Sequence, residues 1–239
     1  MISSEGRVVM ISGANRGIGK AVAQCLYLAG FNLSLACRTP ATLDETTSGM
    51  SADRFLTARY DAEDKTTHAT WTEQTVARFG RIDGLVNNAG ILESVDLNDD
   101  VFNEAGLDRM WDVNVKAPLS MTYLTLPHLR KSGAGRIVNL ASLAGKAVYG
   151  SGVGYSMTKF AAVALSHATR HAGWADGVRC TALCPGYVAT DMTSEVESTA
   201  LEDMTSAEDL AELVRMVMSL SNTASIAELV VNCRADVVA

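Results

Sequence analysis

Tyr155 and Lys159 stand four positions apart in the stretch GVGYSMTK, residues 152–159. Four residues is a little over one helical turn, so a helix here would carry the phenol and the ammonium on one face. A free tyrosine titrates at about 10, too high for a proton carrier near neutrality, and an adjacent cation favours the phenolate. Lys159 offers that cation. Ser142 lies thirteen residues before Tyr155 at the end of the run GRIVNLAS. Its hydroxyl would hold a carbonyl oxygen while the phenol gives that oxygen a proton. Taken alone, the same residues also describe an ordinary helix face and a strand-end turn serine. What separates the two readings is whether a hydride source sits beside them.

The stretch SGANRGIGKAVAQCLYLAG, residues 12–30, places Gly13, Gly17 and Gly19 between a β-branched run and a helical pattern. Glycine permits the tight turn and lets main chain approach a pyrophosphate, whose charge the helix N-terminus favours. Strand, glycine triplet, helix and second strand in that order predict a dinucleotide site, with Asn15, Arg16 and Ile18 among its contacts. At the end of the second strand an NAD site usually offers a carboxylate to the ribose. This chain has Cys37 and Arg38 instead. The planar fork of Arg38 suits a 2′-phosphate, and Arg16 could approach the same group from the glycine loop. NADP(H) is the expected cofactor.

These residues need a frame. Apolar, β-branched runs recur at 7–13, 31–37, 83–88, 135–142, 178–184 and 227–232, with a weaker one at 54–60. Helical periodicity fills 17–29, 64–80, 110–131, 155–173 and 207–220 between them. Strand and helix in alternation predict an α/β protein, a Rossmann-type doubly wound parallel sheet of about seven strands with helices on both faces. Ligands then bind at the carboxyl ends of the strands, where the glycine loop, Ser142 and Tyr155 all fall.

The 239 residues contain no proline-rich or low-complexity linker, so one domain over 1–239 is expected. A net charge of −7 without clustered Lys and Arg argues against a nucleic-acid or polybasic membrane partner. The opening MISSEGRVVM has no apolar segment of signal-peptide length and no later run reaches membrane-span length, which predicts a cytoplasmic address. Cys25, Cys37, Cys180, Cys184 and Cys233 are scattered and odd in number; they read as packing residues, with neither a disulfide framework nor a metal site expected. The acidic run DLNDD, 96–100, reads as a solvated loop.

Over almost its full length the chain resembles the short-chain dehydrogenases/reductases. SGANRGIG (12–19), NNAG (87–90), WDVNV (111–115), Ser142, YSMTK (155–159) and PGYVAT (185–190) carry the resemblance. It implies that Asn114 completes a tetrad with Ser142, Tyr155 and Lys159, in a helix distorted so that a main-chain carbonyl holds a relay water. It implies further that Lys159 bonds the nicotinamide ribose, that Asp61 and Ala62 lie by the adenine, and that Asn87, Ala89 and Gly90 line the adenosine side. Pro185, Gly186, Val188 and Thr190 would border the nicotinamide, and a homodimer or homotetramer is implied as well. Without the family, Asn114 could satisfy buried main chain and Asp61 could cap the next helix.

The chain departs from the family pattern at three places. Ser12 stands where a threonine is common, and its hydroxyl can make the same bond. After PGYVATDM only the short stretch TSEVESTALEDM precedes the next helix, which predicts a short cover and an open pocket. The ending SIAELVVN lacks the glycine-rich close of many relatives and is similar to the NADP-dependent branch acting on small hydroxy acids and aldehydes. Leu92, Glu93, Leu143, Ala144, Tyr149, Tyr187 and Met192 are candidate pocket residues. The expected activity is NADP(H)-dependent interconversion of a small-molecule carbonyl and an alcohol, with a 3-oxoacyl thioester as the alternative substrate class. The competing reading is a dinucleotide-sensing regulatory or scaffold protein without turnover, but a chain that had lost turnover would be expected to lack part of the tetrad.

Overall fold

A computed structural model describes residues 1–194, 196 and 198–235. Seven strands form one parallel sheet: β1 Val8–Ser12, β2 Asn32–Cys37, β3 Phe55–Arg59, β4 Gly84–Asn87, β5 Arg136–Leu140, β6 Arg179–Pro185 and β7 Glu228–Val231. Their order across the sheet is β3-β2-β1-β4-β5-β6-β7. All seven apolar runs, including the weak one at 54–60, became strands. The connections run outward from β1 in one direction and then from β4 in the other, so the strand order reverses between β1 and β4. A doubly wound sheet opens its ligand crevice at that reversal.

The inner strands β1, β2, β4, β5 and β6 bury alternate residues against helices on opposite faces, as a period of two requires. Val9 and Ile11 of β1, Val86 of β4 and Val138 of β5 pack with α1 (Gly17–Leu28) and α7 (Ala207–Ser219). Met10, Leu85 and Ile137 point the other way, onto Trp71 of α3 (Lys65–Phe79) and Met121 of α5 (Ala117–Lys131). A short helix α2, Asp44–Thr47, follows β2, and α6, Val153–Gly173, completes the second face through Ala162 and Val163 against Ala182 and Cys184.

The helix expected over 110–131 starts earlier than its periodicity predicts, and at Asn114 it carries a distortion of the kind the family resemblance implies. It begins as α4 (Glu104–Trp111), where Asn103 caps the first turn by accepting from Gly106 N at 3.0 Å. It is then interrupted, because Asp112–Lys116 form a π-helical segment before α5 starts. Such a bulge inserts an extra residue into the helical ladder and commonly marks a functional position. Asn114 is at its centre.

All five cysteines are free thiols. Burial pushes Cys180 up to about 12 and Cys184 up to about 11, and the thiolate is the reactive form. Alkylation of the native protein at pH 8, read by peptide mass spectrometry, should leave Cys180 and Cys184 unmodified until denaturant is added.

Candidate active site

The first strand delivers the glycine loop directly to the crevice. Gly13 and Gly17 take φ of 64° and 51°, the left-handed region that glycine enters without penalty. At Gly19 the constraint is space: a Cβ would sit 2.2 Å from the Gly13 carbonyl oxygen and 2.5 Å from Asn88 Nδ2. The loop is held from beside it. Ser12 Oγ accepts from Asn88 N at 3.0 Å and Ala89 N at 3.1 Å, while Asn88 Nδ2 donates to the carbonyls of Ser12 and Gly13 at 2.9 and 3.1 Å. Thr46 of α2 donates to the Ala14 carbonyl at 3.0 Å. Helix α1 starts at Gly17 with no side-chain cap and no acid in its first turn. Its N–H groups are thus left for an anion.

Arg38 is exposed at the end of β2 and has no hydrogen bond or ion pair among the described residues. Arg16, also exposed, pairs with Asp191 at 2.9 Å. Asn15 and Ile18 are half-buried in the loop. At the end of β3, Asp61 accepts from Glu63 N at 3.2 Å and faces Arg59, and the half-buried Ala62 follows it. The helix cap that Asp61 might have supplied comes from Asp64, which accepts from Thr66 N.

Within NNAG the two asparagines part. Asn87 is buried and donates to Asn139 Oδ1 at 2.8 Å and to Thr122, so its side chain lies in the interior and not along the loop. Asn88 braces the glycine loop. Ala89 and Gly90 are half-buried, and Gly90 lies where a Cβ would be 3.3 Å from Asn114 Oδ1 and 3.8 Å from Lys159 Nζ.

The four residues expected to form a tetrad come to this corner from three elements, the π segment, the turn after β5 and α6. Asn114 accepts from Ile91 N and donates to the Ile91 carbonyl, both at 2.9 Å, and donates to Thr158 Oγ1 at 3.2 Å. Its two-way bond fixes the segment after β4 onto the π bulge. Lys159 is 7% exposed. Its ammonium donates to the Leu140 carbonyl at 2.8 Å, the single hydrogen-bond partner it has among the described residues, and lies 5.3 Å from the centroid of the Tyr155 ring. An ammonium has three donors, so two remain for a ligand. Tyr155 occupies the third position of α6 and is half-buried. The glycine before it is required, since a Cβ at Gly154 would come 2.6 Å from Val95 Cβ. Ser142 caps a 3-10 turn, Leu143–Gly145, by accepting from Ala144 N at 3.1 Å, and reaches the Pro185 carbonyl at 3.4 Å.

Pro185 ends β6, Gly186 donates its N–H to the Val231 carbonyl at 2.8 Å, and Val188 is buried. Thr190 packs over the glycine loop, where a Cβ on Gly17 would meet its methyl at 3.3 Å. The polar stretch after it carries two 3-10 turns, Asp191–Thr193 and Leu201–Asp203; residues 195 and 197 lie outside the described residues. Of the pocket candidates, Leu92, Tyr149 and Met192 are exposed, Ala144 and Tyr187 are half-buried and Leu143 is buried. Glu93 is ion-paired to Arg109 of α4 at 2.9 Å. The acidic run is not a free solvated loop throughout. Asp96 accepts from Ser151 Oγ at 2.8 Å and forms an isolated bridge with Gly152, joining the segment after β4 to the one before Tyr155; Asn98 N and Ser151 together hold its carboxyl below the usual range.

The sequence matches the family described as short chain dehydrogenase over residues 7–201. An agropine synthesis reductase of Rhizobium rhizogenes is 43% identical over 226 residues, which cover 95% of this chain and 52% of that protein; the chain spans about half the length of that relative. Among solved structures, levodione reductase superposes with a TM-score of 0.85 at 28% identity, covering 95% of this chain and 96% of that one. An alcohol dehydrogenase from the archaeon Thermococcus sibiricus, complexed with 5-hydroxy-NADP, gives 0.84 at 26% identity, covering 94% and 95%. The fold and crevice are those of a nucleotide-binding oxidoreductase. The chain belongs to the short-chain dehydrogenase/reductase family, whose members bind a nicotinamide dinucleotide and act on small-molecule substrates.

Contacts that no sequence pattern marks contribute here. The brace made by Asn88, the Thr158 hydroxyl under Asn114 and the Leu140 carbonyl under Lys159 all depend on which way a side chain or carbonyl turns. The Ser12 hydroxyl was anticipated and serves two main-chain donors. Ser12→Ala leaves both N–H groups unpaired in a largely buried place and should cost about 1–3 kcal/mol in urea unfolding, whereas Ser12→Thr should stay close to wild type.

Proposed function

We propose that the protein is an NADP(H)-dependent oxidoreductase, one domain over residues 1–239, that interconverts a small-molecule carbonyl and the corresponding alcohol. The observation that carries this reading is the buried Lys159 ammonium with one hydrogen-bond partner among the described residues, beside the Tyr155 ring and against Gly90. A cation kept out of water with unused donors costs free energy unless a ligand takes them. Ribose hydroxyls, presented past Gly90, fit that demand.

The crevice fits the cofactor at its other end too. The uncapped start of α1 and the glycine cradle, which a Cβ at Gly13 or Gly19 would obstruct, suit a pyrophosphate. Arg38 would face the 2′-phosphate, with Cys37 in place of a carboxylate at the end of β2. Asp61 and Ala62 would flank the adenine, and Pro185, Gly186, Val188 and Thr190 the nicotinamide. When bound, the reduced nicotinamide supplies the hydride.

The chain's own work is then orientation and proton transfer. Ser142 Oγ holds the substrate oxygen, and Tyr155 gives that oxygen its proton in reduction or takes it in oxidation. Lys159 places positive charge where the phenol oxygen becomes negative. Asn114, clamped by Ile91, keeps the π bulge open at the point where a water could pass the proton onward. The exposed apolar Leu92, Tyr149 and Met192 suit an open mouth for the substrate. The relative's name supports a reductive direction. A homodimer or homotetramer goes with this reading, and Leu119, Tyr123, Met157 and Phe160 on the adjoining α5 and α6 are exposed apolar residues that a second copy could cover.

NADPH oxidation followed at its absorbance band across a carbonyl panel tests the proposal. Wild type should turn over at least one member, and Tyr155→Phe should lose roughly 100- to 10,000-fold in kcat while still binding NADPH. Equal inertness of both proteins with intact cofactor binding would point to a sensor. In the same assay kcat/KM should be higher with NADPH than with NADH, and Arg38→Ala should erase most of that difference; a preference unchanged by the substitution would remove Arg38 from the phosphate site.

A further inference from the structure

The turn that begins at Ser142 ends at Lys146, and its far end is held by neighbours the tetrad does not include. Gly145 lies so near α6 that a Cβ would come 2.5 Å from the Lys159 carbonyl oxygen. Lys146 then reaches across to β7, where its ammonium bonds Glu228 Oε2. The other carboxylate oxygen, Glu228 Oε1, lies 2.6 Å from His167 Nε2 on α6, eight residues beyond Lys159. Lys146 and Glu228 are 25% and 22% exposed in their side chains, so solvent screens the pair only partly. The Cys184 thiol of β6 is the remaining titratable group facing this cluster. Lys146, followed by His167, holds the Glu228 carboxyl below its ordinary range.

We propose that Glu228 is a positioning residue for Ser142: its carboxylate, shared between Lys146 and His167, ties the serine turn to β7 and α6 and so fixes the hydroxyl relative to Tyr155 and Lys159. The Ser142 hydroxyl has little anchorage of its own. It accepts from Ala144 N within the same turn, and its bond out of the turn, to Pro185, is 3.4 Å long. The hydroxyl therefore moves with the turn, and a misplacement of about 1 Å in a reacting group can cost on the order of 100-fold in rate. Gly145 and Lys146 are adjacent in the chain, so α6 and β7 grip the turn at one point from two sides. The kinetic consequence rests on the oxidoreductase reading; the tether itself does not.

Hydrogen-exchange mass spectrometry and steady-state kinetics on the full chain separate the two. Glu228→Gln should raise exchange several-fold in peptides covering 142–148 and leave the glycine loop, 12–20, as in wild type. It should lower kcat about tenfold with KM for NADPH within twofold, and Glu228→Asp should recover most of the loss. Lys146→Met, which removes the same tether from the other side, should reproduce both effects if the glutamine variant folds poorly. Unchanged exchange at 142–148 in both variants would overturn the proposal, as would a rise spread evenly over the whole chain or a kcat equal to wild type. A wild-type protein inert across the carbonyl panel would count against the oxidoreductase reading alone, and the exchange result would still decide whether Glu228 holds the turn.

Discussion

The site depends on a cation taken out of water. Removing an ammonium from solvent is costly, and the cost is tolerable only where the donors find acceptors. Among the described residues Lys159 has one acceptor, the carbonyl of Leu140 at the last position of β5. That carbonyl sits at the carboxyl edge of the sheet, where a parallel strand runs out of neighbours to bond. The sheet thus supplies an acceptor at the place where the crevice opens, and α6 supplies the cation. Gly145 allows the Ser142 turn to approach the Lys159 backbone, and Gly90 leaves space beside its ammonium. A side chain at either position would push apart the groups that the chemistry needs close together.

The π bulge is a second constraint, and it serves the first. A regular helix over 104–131 would keep its main-chain bonds within itself and present Asn114 at an ordinary helical angle. The extra residue in Asp112–Lys116 turns Asn114 so that its amide reads both main-chain groups of Ile91 and the hydroxyl of Thr158. One side chain then couples the segment after β4, the long helix and the start of α6. Thr158 donates in turn to the Tyr155 carbonyl at 2.8 Å, so the chain of contacts reaches the tyrosine's own backbone. The ladder bonds weakened at the bulge are exchanged for a fixed geometry between three elements.

Much of this was legible because it is periodic or steric. The strands announced themselves by short apolar runs spaced between helical stretches, and the glycines of the first loop stand where φ or space disfavours any other residue. The orientation of side chains at strand ends was harder to read. Asn87 closes β4 with the same parity as Leu85, and its register partner is Asn139, so alternation along the strand already turned it toward α5 and away from the loop. Asn88, one residue on, has left the strand and is free to brace Gly13. The early start of α4 and the engagement of Asp96 escaped notice for a different reason. A cap such as Asn103 looks like any loop asparagine, and the partner of Asp96 lies 55 residues away, beyond the reach of local pattern. Glu228, too, reads as a strand residue until Lys146 and His167 are brought to it by the fold.

The two arginines assigned to the phosphate illustrate how charge and position separate. Both are exposed, and the sequence places Arg38 at the end of β2 and Arg16 in the glycine loop. In the folded chain Arg16 spans from the glycine loop to Asp191, just past Thr190, whereas Arg38 has no acidic partner among the described residues. An exposed pair of this kind contributes about 0–1 kcal/mol, too little to hold Arg16 against a doubly charged phosphate. It adds to the contact by which Thr190 packs on Gly17, so the segment after β6 and the glycine loop touch at two neighbouring points. An arriving phosphate would then compete with Asp191 for one guanidinium while meeting the other unopposed. Under the proposed NADP(H) reading, Arg38 is therefore the residue expected to discriminate between the two dinucleotides, and Arg16 the one expected to couple a bound phosphate to the segment after β6.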